Sequence, residues 1–320
     1  MIATTSTAPA IATTWASPAG ATVGAAGRAP VTSGAATDAL VQVRGVTFAY
    51  PDGTVALRSL DLSIPRGRKV VVLGANGCGK STLFLHLGGV LRPKAGEIVL
   101  DGEVVRHDRA GLLRLRRTVG LVFQDPDSQL FASSVRQDIS FGPLNLGWPE
   151  ARVRTAVDDA IAATQIADLA DRPAHLLSYG QKKRVAIAGV LAMDPQLIVA
   201  DEPTAGLDPE ATVRLVDLFD RLNAEGRTIV ISTHDVELAL AWADEVIVMR
   251  EGEVIQTGLP TDVFQDMAVL RMARLHRPIV LETYAHLRHM GLVPEDAVPP
   301  RNAGELADLI NCNCARIPED

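Results

Sequence analysis

Apolar and polar positions first fall into a regular pattern at Val41. Val41 and Val43 mark one face, the phase then slips, and Val46 and Phe48 continue it, which predicts strands with one buried side. Residues 70–73 (Val-Val-Val-Leu) are apolar on both faces, the pattern of a strand inside a parallel sheet. That run ends on Gly74, and a helical pattern begins at Lys80. Two further apolar runs, 197–200 and 228–232, flank a helical stretch over 209–224. Strands alternating with helices predict an α/β layer fold with a parallel sheet. Between about residues 125 and 185 strand signals fade and helical periodicity dominates, so a helical subdomain is expected inside a larger domain spanning 39–260. Residues 261–292 again read as helix, a C-terminal extension that would help to dimerise or dock the chain. Pro294, Pro299 and Pro300 lie in polar text, which predicts a flexible tail over 293–320. No internal repeat is visible.

Composition changes this picture at one end only. Of the first 38 residues, 30 are Ala, Thr, Ser, Gly or Pro, too few large apolar groups to offset the entropy of ordering, so a disordered tail is expected. It has neither the basic start nor the apolar centre of a secretory leader. Mean hydropathy is slightly positive, +0.15, which raises the question of a membrane protein. No window approaches the roughly 18 consecutive apolar residues that a spanning helix needs. A net charge of −7 argues against a nucleic-acid partner. The cysteines, Cys78, Cys312 and Cys314, are too few for a disulfide framework, and a reducing compartment is the default.

Candidate chemistry begins where strand meets helix. Gly74-Ala75-Asn76-Gly77-Cys78-Gly79-Lys80-Ser81 fits G-x-x-x-x-G-K-[ST], followed by Thr82. Glycines let backbone N–H groups curl around phosphate oxygens, and the helix that follows points its positive end at the same anion. Lys80 would reach the β- and γ-phosphates, and the Ser81 hydroxyl would ligate Mg²⁺. A nucleoside triphosphate is therefore the expected ligand. The run 197–200 ends on Asp201 and Glu202, and carboxylates leaving a strand's C-terminal end enter the crevice where α/β sheets bind ligands. Asp201 would hold Mg²⁺ through its water shell and Glu202 would act as general base on the attacking water.

Leu177-Ser178-Tyr179-Gly180-Gln181, followed by Lys182-Lys183-Arg184, resembles the signature motif of ABC-transporter ATPases, with Tyr179 where glycine is usual. Other motifs of that family follow in order. Tyr50 resembles the aromatic that stacks on adenine, Gln124 the glutamine-loop residue and Mg²⁺ ligand, Asp208 the end of the D-loop, and His234 the switch histidine. The resemblance covers about residues 41–260. It implies a P-loop ABC ATPase cassette, with a RecA-like core, an antiparallel β subdomain and a helical signature subdomain, binding ATP and Mg²⁺. It also implies that Ser178, Tyr179, Gly180 and Gln181 face the ATP of a second ATPase chain, homo- or heterodimeric, since two chains of this family pair head-to-tail.

Phe-Gln-Asp-Pro-Asp-Ser-Gln-Leu-Phe at 123–131 and the stretch 177–193 look like the ATPases of energy-coupling-factor importers, above all the cobalt/nickel branch, with vitamin uptake by the same machinery as the alternative. Such subunits work with a membrane coupling subunit and a substrate-binding membrane subunit, on the cytoplasmic face of the cell membrane. The groove beside Gln124 would then receive a coupling helix. Soluble ABC ATPases of DNA repair or translation form a different class. They usually carry a coiled-coil or zinc insertion or two fused cassettes, whereas this chain has one phosphate loop. A nucleotide sensor without turnover would lack the catalytic acid, but Glu202 and His234 are both present. Cys78 reads as a small side chain fitting its loop. Cys312 and Cys314 offer half of a tetrahedral metal site, and His286 and His289 share a helix face, which reads as solvated.

Overall fold

The computed structural model describes residues 38–294 and 296–314. Strands β1 (Ala39–Ala49) and β2 (Val55–Pro65) form an antiparallel hairpin. The phase slip at Val43–Val46 is an irregularity in its register, so Val41, Val43, Val46 and Phe48 all remain buried. Chain then runs through β3 (Lys69–Leu73) and α1 (Lys80–Leu87) to a second hairpin, β4 (Ala95–Leu100) and β5 (Glu103–Val104). The first sheet has the order β2-β1-β4-β5 and is antiparallel throughout.

Helix α2 (Arg109–Thr118), capped by Asp108 accepting from the Gly111 amide at 2.8 Å, leads into β6 (Val119–Val122). Three helices follow with no strand between them, α3 (Val135–Asn145), α4 (Glu150–Ala163) and α5 (Tyr179–Leu191), as the loss of alternation predicts. The chain re-enters the sheet at β7 (Leu197–Ala200), crosses by α6 (Pro209–Ala224) to β8 (Thr228–Ser232), and crosses again by α7 (Val236–Trp242) to β9 (Glu245–Arg250). Strand β10 (Glu253–Gly258) folds back antiparallel on β9. The second sheet has the order β10-β9-β3-β8-β7-β6, and β9, β3, β8, β7 and β6 run parallel.

Alternate residues of these central strands serve two cores. Val71, Leu73, Ile198, Ala200, Ile229 and Ile231 pack with the helical side of the molecule. Val70, Val72, Leu197, Val199 and Val230 pack with the antiparallel sheet and α1. Both faces are apolar because both are covered.

The C-terminal region departs from expectation. Helices α8 (Pro260–Gln265), α9 (Met267–Ala273) and α10 (Ile279–His289) occupy the stretch read as helical. The stretch read as a flexible tail instead holds α11 (Ala303–Cys314). Prolines 294, 299 and 300 turn the chain rather than release it. Asn302 then caps the helix by accepting from the Glu305 amide at 2.9 Å. Leu306, with Leu309 and Ile310 beside it, packs against Tyr284 and Val293. Arg301 donates from Nε to the Leu240 carbonyl at 2.9 Å and from its guanidinium tip to Ala243, satisfying carbonyls at the end of α7. The small-residue stretch up to residue 37 and the side chains of Cys312 and Cys314 lie outside the described residues. His286 and His289 are exposed on α10, and among the described residues no group of three His, Cys, Asp or Glu could hold a metal ion.

Candidate active site at four strand ends

Four adjacent parallel strands bring the candidate residues to one edge. Val72 of β3 is in register with Ser232 of β8, Ile231 with Ala200 of β7, and Ala200 with Val122 of β6. The segments leaving these strands are the phosphate loop, Thr233-His234, Asp201-Glu202 and Phe123-Gln124. Residues up to 160 positions apart in the sequence, such as Gly74 and His234, thus share the C-terminal rim of the sheet.

In the phosphate loop two glycines are required by geometry. Gly74 has φ +152°, and a Cβ there would lie 2.3 Å from the Met249 carbonyl oxygen and 2.7 Å from Cys78 Sγ. Gly79 has φ +110°, and its Cβ would lie 2.6 Å from the Ala56 carbonyl oxygen. The Lys80 ammonium is only 7% exposed and donates to the carbonyls of Gly74 (2.7 Å) and Ala75 (3.4 Å), with no carboxylate pairing it among the described residues. A buried cation balanced only by dipoles, at the mouth of a helix, is a site short of negative charge, and phosphate oxygens fit it. Ser81 is exposed beside it, as are Asn76 and Gly77. Burial raises the Cys78 thiol above its ordinary range, so it stays protonated and inert. Tyr50, at the β1–β2 turn, makes a 3.0 Å hydrogen bond with Thr82 Oγ1 on the first turn of α1, which brings this aromatic next to the loop.

The acid pair is held from both sides. Ser232 Oγ donates to Asp201 Oδ1 at 2.5 Å and accepts from the Glu202 amide at 2.8 Å. Glu202 has φ +44°, a left-handed backbone that costs a non-glycine residue about 1 kcal/mol or more. Its carbonyl accepts from Lys183 Nζ at 2.7 Å, so both ends of its peptide are clamped. Glu202 Oε2 lies 3.1 Å from His234 Nδ1. Facing a carboxylate, that nitrogen carries hydrogen. The imidazole is 74% exposed, so most of the ring stands free at the rim.

Ser232 and Lys183 are functional candidates that sequence reasoning passes over. Ser232 ends an apolar strand with a hydroxyl two positions before His234. Lys183 sits in a run of three cations to which the sequence alone assigns no role, yet it is 1% exposed. Its ammonium also donates to the carbonyls of Pro203 (3.0 Å) and Ala205 (2.9 Å), three hydrogens for three acceptors. Desolvation lowers its pKa to about 8, against the opposing pull of Glu202 and Asp201. Above that pH the neutral amine has two hydrogens for three carbonyls. The protonated form is therefore the one that holds the acid loop, and kcat/KM for ATP is expected to fall on the alkaline side with an apparent pKa near 8. A profile measured from pH 6 to 10 checks this, and the limb should vanish in Lys183→Met.

Of the signature residues, Tyr179 reaches this rim at Gln124, while Ser178, Gly180 and Gln181 make no hydrogen bond to the phosphate loop among the described residues. Ser178 caps α5, accepting from the Gln181 amide at 3.3 Å, while Gln181 Oε1 accepts from the Ser178 amide at 2.9 Å. Gly180 lies in the first turn, so the helix's free N–H groups open outward there. Asp208 caps α6 through the Ala211 amide at 2.8 Å. Gln124 is exposed, and its carbonyl accepts from the Tyr179 hydroxyl at 3.2 Å.

The profile of the ABC transporter family matches residues 57–205. A putative ABC transporter ATP-binding protein of Streptomyces coelicolor is 50% identical over 271 residues, covering 85% of this chain and 95% of the relative. This chain belongs to the ABC transporter ATP-binding proteins. It is an ATPase of that family with the ABC cassette fold. It is 47% identical to the energy-coupling factor transporter ATP-binding protein EcfA of Methanocaldococcus jannaschii, over 81% of this chain and 91% of that one. It is 48% identical to the cobalt import ATP-binding protein CbiO of Rhodobacter capsulatus, over 81% and 93%. Among solved structures, cbiO1 of Clostridium perfringens, described as part of the ABC transporter complex cbiONQ, superposes with a TM-score of 0.66 at 44% identity, over 79% of this chain and 99% of that chain. A dimeric ATP-binding cassette in a post-hydrolysis state, bound to ADP and Pi, gives 0.64 at 28% identity, over 69% and 98%. No helix among the described residues is long and apolar enough to cross a membrane.

Proposed function

We propose that this ABC ATPase energises an energy-coupling-factor importer, with cobalt ions as its cargo. The observation that carries the ATPase site is the gathering of Lys80, Asp201, Glu202, His234 and Gln124 at four neighbouring strand ends. Lys80 and the loop amides of residues 74–81 bind the phosphates, and Tyr50 stacks on the base. Ser81, Asp201 and Gln124 would hold Mg²⁺, which supplies charge neutralisation on the phosphate oxygens. Glu202 takes a proton from the attacking water, and His234, bonded to the same carboxylate, orients it. Ser178, Tyr179, Gly180 and Gln181 present the α5 N-terminus to the nucleotide of a second chain, and Asp208 lies at the seam between them.

The Ser232 hydroxyl keeps the two carboxylates apart in role, tying Asp201 by its side chain and Glu202 by its main chain. Ser232→Ala should lower turnover about tenfold, the loss of about 1.4 kcal/mol in the transition state. Steady-state ATPase assays beside a thermal melt would separate this from unfolding.

The importer reading draws on the relatives' names and on a groove of about 440 Å³ beside Gln124. Phe123, Leu130, Phe131, Phe141 and Met193 line it. Phe131 is 66% exposed and meets Phe141 edge-on at 4.6 Å between ring centres. An apolar, aromatic-lined groove of this kind fits a helix of a membrane coupling subunit, which would seat the chain at the cytoplasmic face of the membrane beside a substrate-binding membrane subunit. Co-purification with such subunits, followed by ATP-driven uptake of Co²⁺, Ni²⁺ and vitamins into vesicles, tests the assignment. Uptake of Co²⁺ that stops with Glu202→Gln supports it, while uptake of a vitamin and no metal would overturn the cobalt reading.

A further inference from the structure

Helix α5 grips two functional loops from the two edges of one face. Along one edge, Tyr179 Oη donates to the Gln124 carbonyl at 3.2 Å, Lys182 Nζ reaches Asp127 Oδ1 at 2.6 Å, and the Ala186 carbonyl accepts from Gln129 Nε2 at 3.3 Å. These positions fall at i, i+3 and i+7, one stripe of the helix, and all three hold the segment that starts at Gln124. Lys183, one turn on from Tyr179 at i+4 and so on the adjoining edge of the same face, holds the carbonyls of Glu202, Pro203 and Ala205. Tyr179 touches both systems. Its ring lies against Gly206, where a Cβ would come within 2.9 Å of Tyr179 Cε1, and Lys183 Nζ sits 5.5 Å from the ring centre. Burial, with Asp125 and Asp127 nearby, raises the phenol's pKa, so its hydrogen is available for donation at neutral pH.

We propose that Tyr179 is a positioning residue for ATP hydrolysis within its own chain. Its hydroxyl fixes the main chain of Gln124, and its ring, seated on Gly206, ties the glutamine loop to the segment that follows Glu202. This role is distinct from facing a partner's nucleotide, and it rests on the reading that the Gln124 side chain reaches Mg²⁺. Only an aromatic residue carrying a hydroxyl has both the reach to the Gln124 carbonyl and the flat face that Gly206 accepts. Tyr179→Phe keeps the ring and removes the one donor, so the fold and the α5 cap are retained.

Tyr179→Phe in the full-length chain is compared with wild type, Gln124→Ala and the double variant. Without nucleotide, amide hydrogen exchange over residues 123–128 should quicken about fivefold, the effect expected of one lost hydrogen bond. Turnover should fall about fivefold with KM for ATP within twofold, and the Mg²⁺ concentration for half-maximal activity should rise. In the Gln124→Ala background the same change should add nothing to the kinetic loss, because the side chain being positioned is gone. Additive losses would place the effect at the partner's nucleotide and overturn the proposal. Unchanged exchange in Tyr179→Phe would do the same. If Gln124→Ala keeps normal turnover and Mg²⁺ dependence, the metal reading of Gln124 fails and the proposal with it. If Gln124→Ala is impaired and Tyr179→Phe is not, the proposal alone fails.

Discussion

Glu202→Gln is expected to slow ATP turnover about a thousandfold while leaving nucleotide binding intact. The amide cannot accept a proton from water, and the removal of a general base costs on the order of 10²–10⁴ in rate. Everything else at this position survives the exchange. The left-handed backbone stays clamped by the Ser232 hydroxyl on its amide and Lys183 on its carbonyl. Gln offers an oxygen to His234 Nδ1 in place of the carboxylate at 3.1 Å. Binding without hydrolysis should then trap the two-chain, two-nucleotide state, because ligand that binds only the closed form stabilises it by mass action. Size-exclusion chromatography with Mg²⁺ and ATP reads the trapped dimer, and a phosphate-release assay reads the lost turnover. Normal turnover in this variant would remove Glu202 from the role of base.

Lys80→Ala should reduce hydrolysis by at least about a hundredfold, the usual scale for deleting one electrostatic contact to transition-state charge. The ammonium is buried among loop carbonyls with no carboxylate pairing it among the described residues, so its removal takes the positive charge from the loop. Combined with Ser178→Arg, the same variant tests whether sites are shared between chains. Ser178→Arg removes the cap of α5 and places a cation and bulk where the N-terminal amides face outward, and it should be inactive although Lys80 is intact. In a mixed dimer of the two variants, one site carries both defects and the other carries neither. With random pairing, half the dimers are mixed and half of their sites are intact, so about a quarter of wild-type activity should return if the sites act independently. A site completed within one chain gives no recovery at any ratio.

Much of this site was legible one segment at a time. The phosphate loop reads directly because eight consecutive residues carry the pattern, glycines for the backbone, Lys80 for charge and a hydroxyl at Ser81. The bounds of β3, β7, β8 and α6 follow from apolar runs whose flanking residues are all local. Lys183 was not legible. Its neighbours Lys182 and Arg184 make it look solvated, and only the packing of α5 on the acid loop turns it inward. Ser232 was equally silent, since a terminal strand serine has no meaning until Asp201 and Glu202 lie beside it. The helix over residues 303–314 is hard to read because three prolines precede it and the apolar residues it packs, among the described ones, are Leu306, Leu309 and Ile310.

The sequence by itself determined which groups could bind a phosphate, carry a base and cap a helix, since those properties belong to residue types and short spacings. It also determined the alternation of strand and helix, because each apolar run is long enough to declare its own period. Only the tertiary structure decided that β3, β8, β7 and β6 stand side by side, and hence that Lys80, His234, Asp201 and Gln124 meet at one rim. Strand order depends on which buried faces can be covered at once, and no local window contains that. The same holds for the grip of α5 on the glutamine and acid loops through Tyr179 and Lys183. Those hydrogen bonds span 19 to 55 residues of sequence, and they exist because desolvated carbonyls in a packed interior must find donors wherever the chain supplies them.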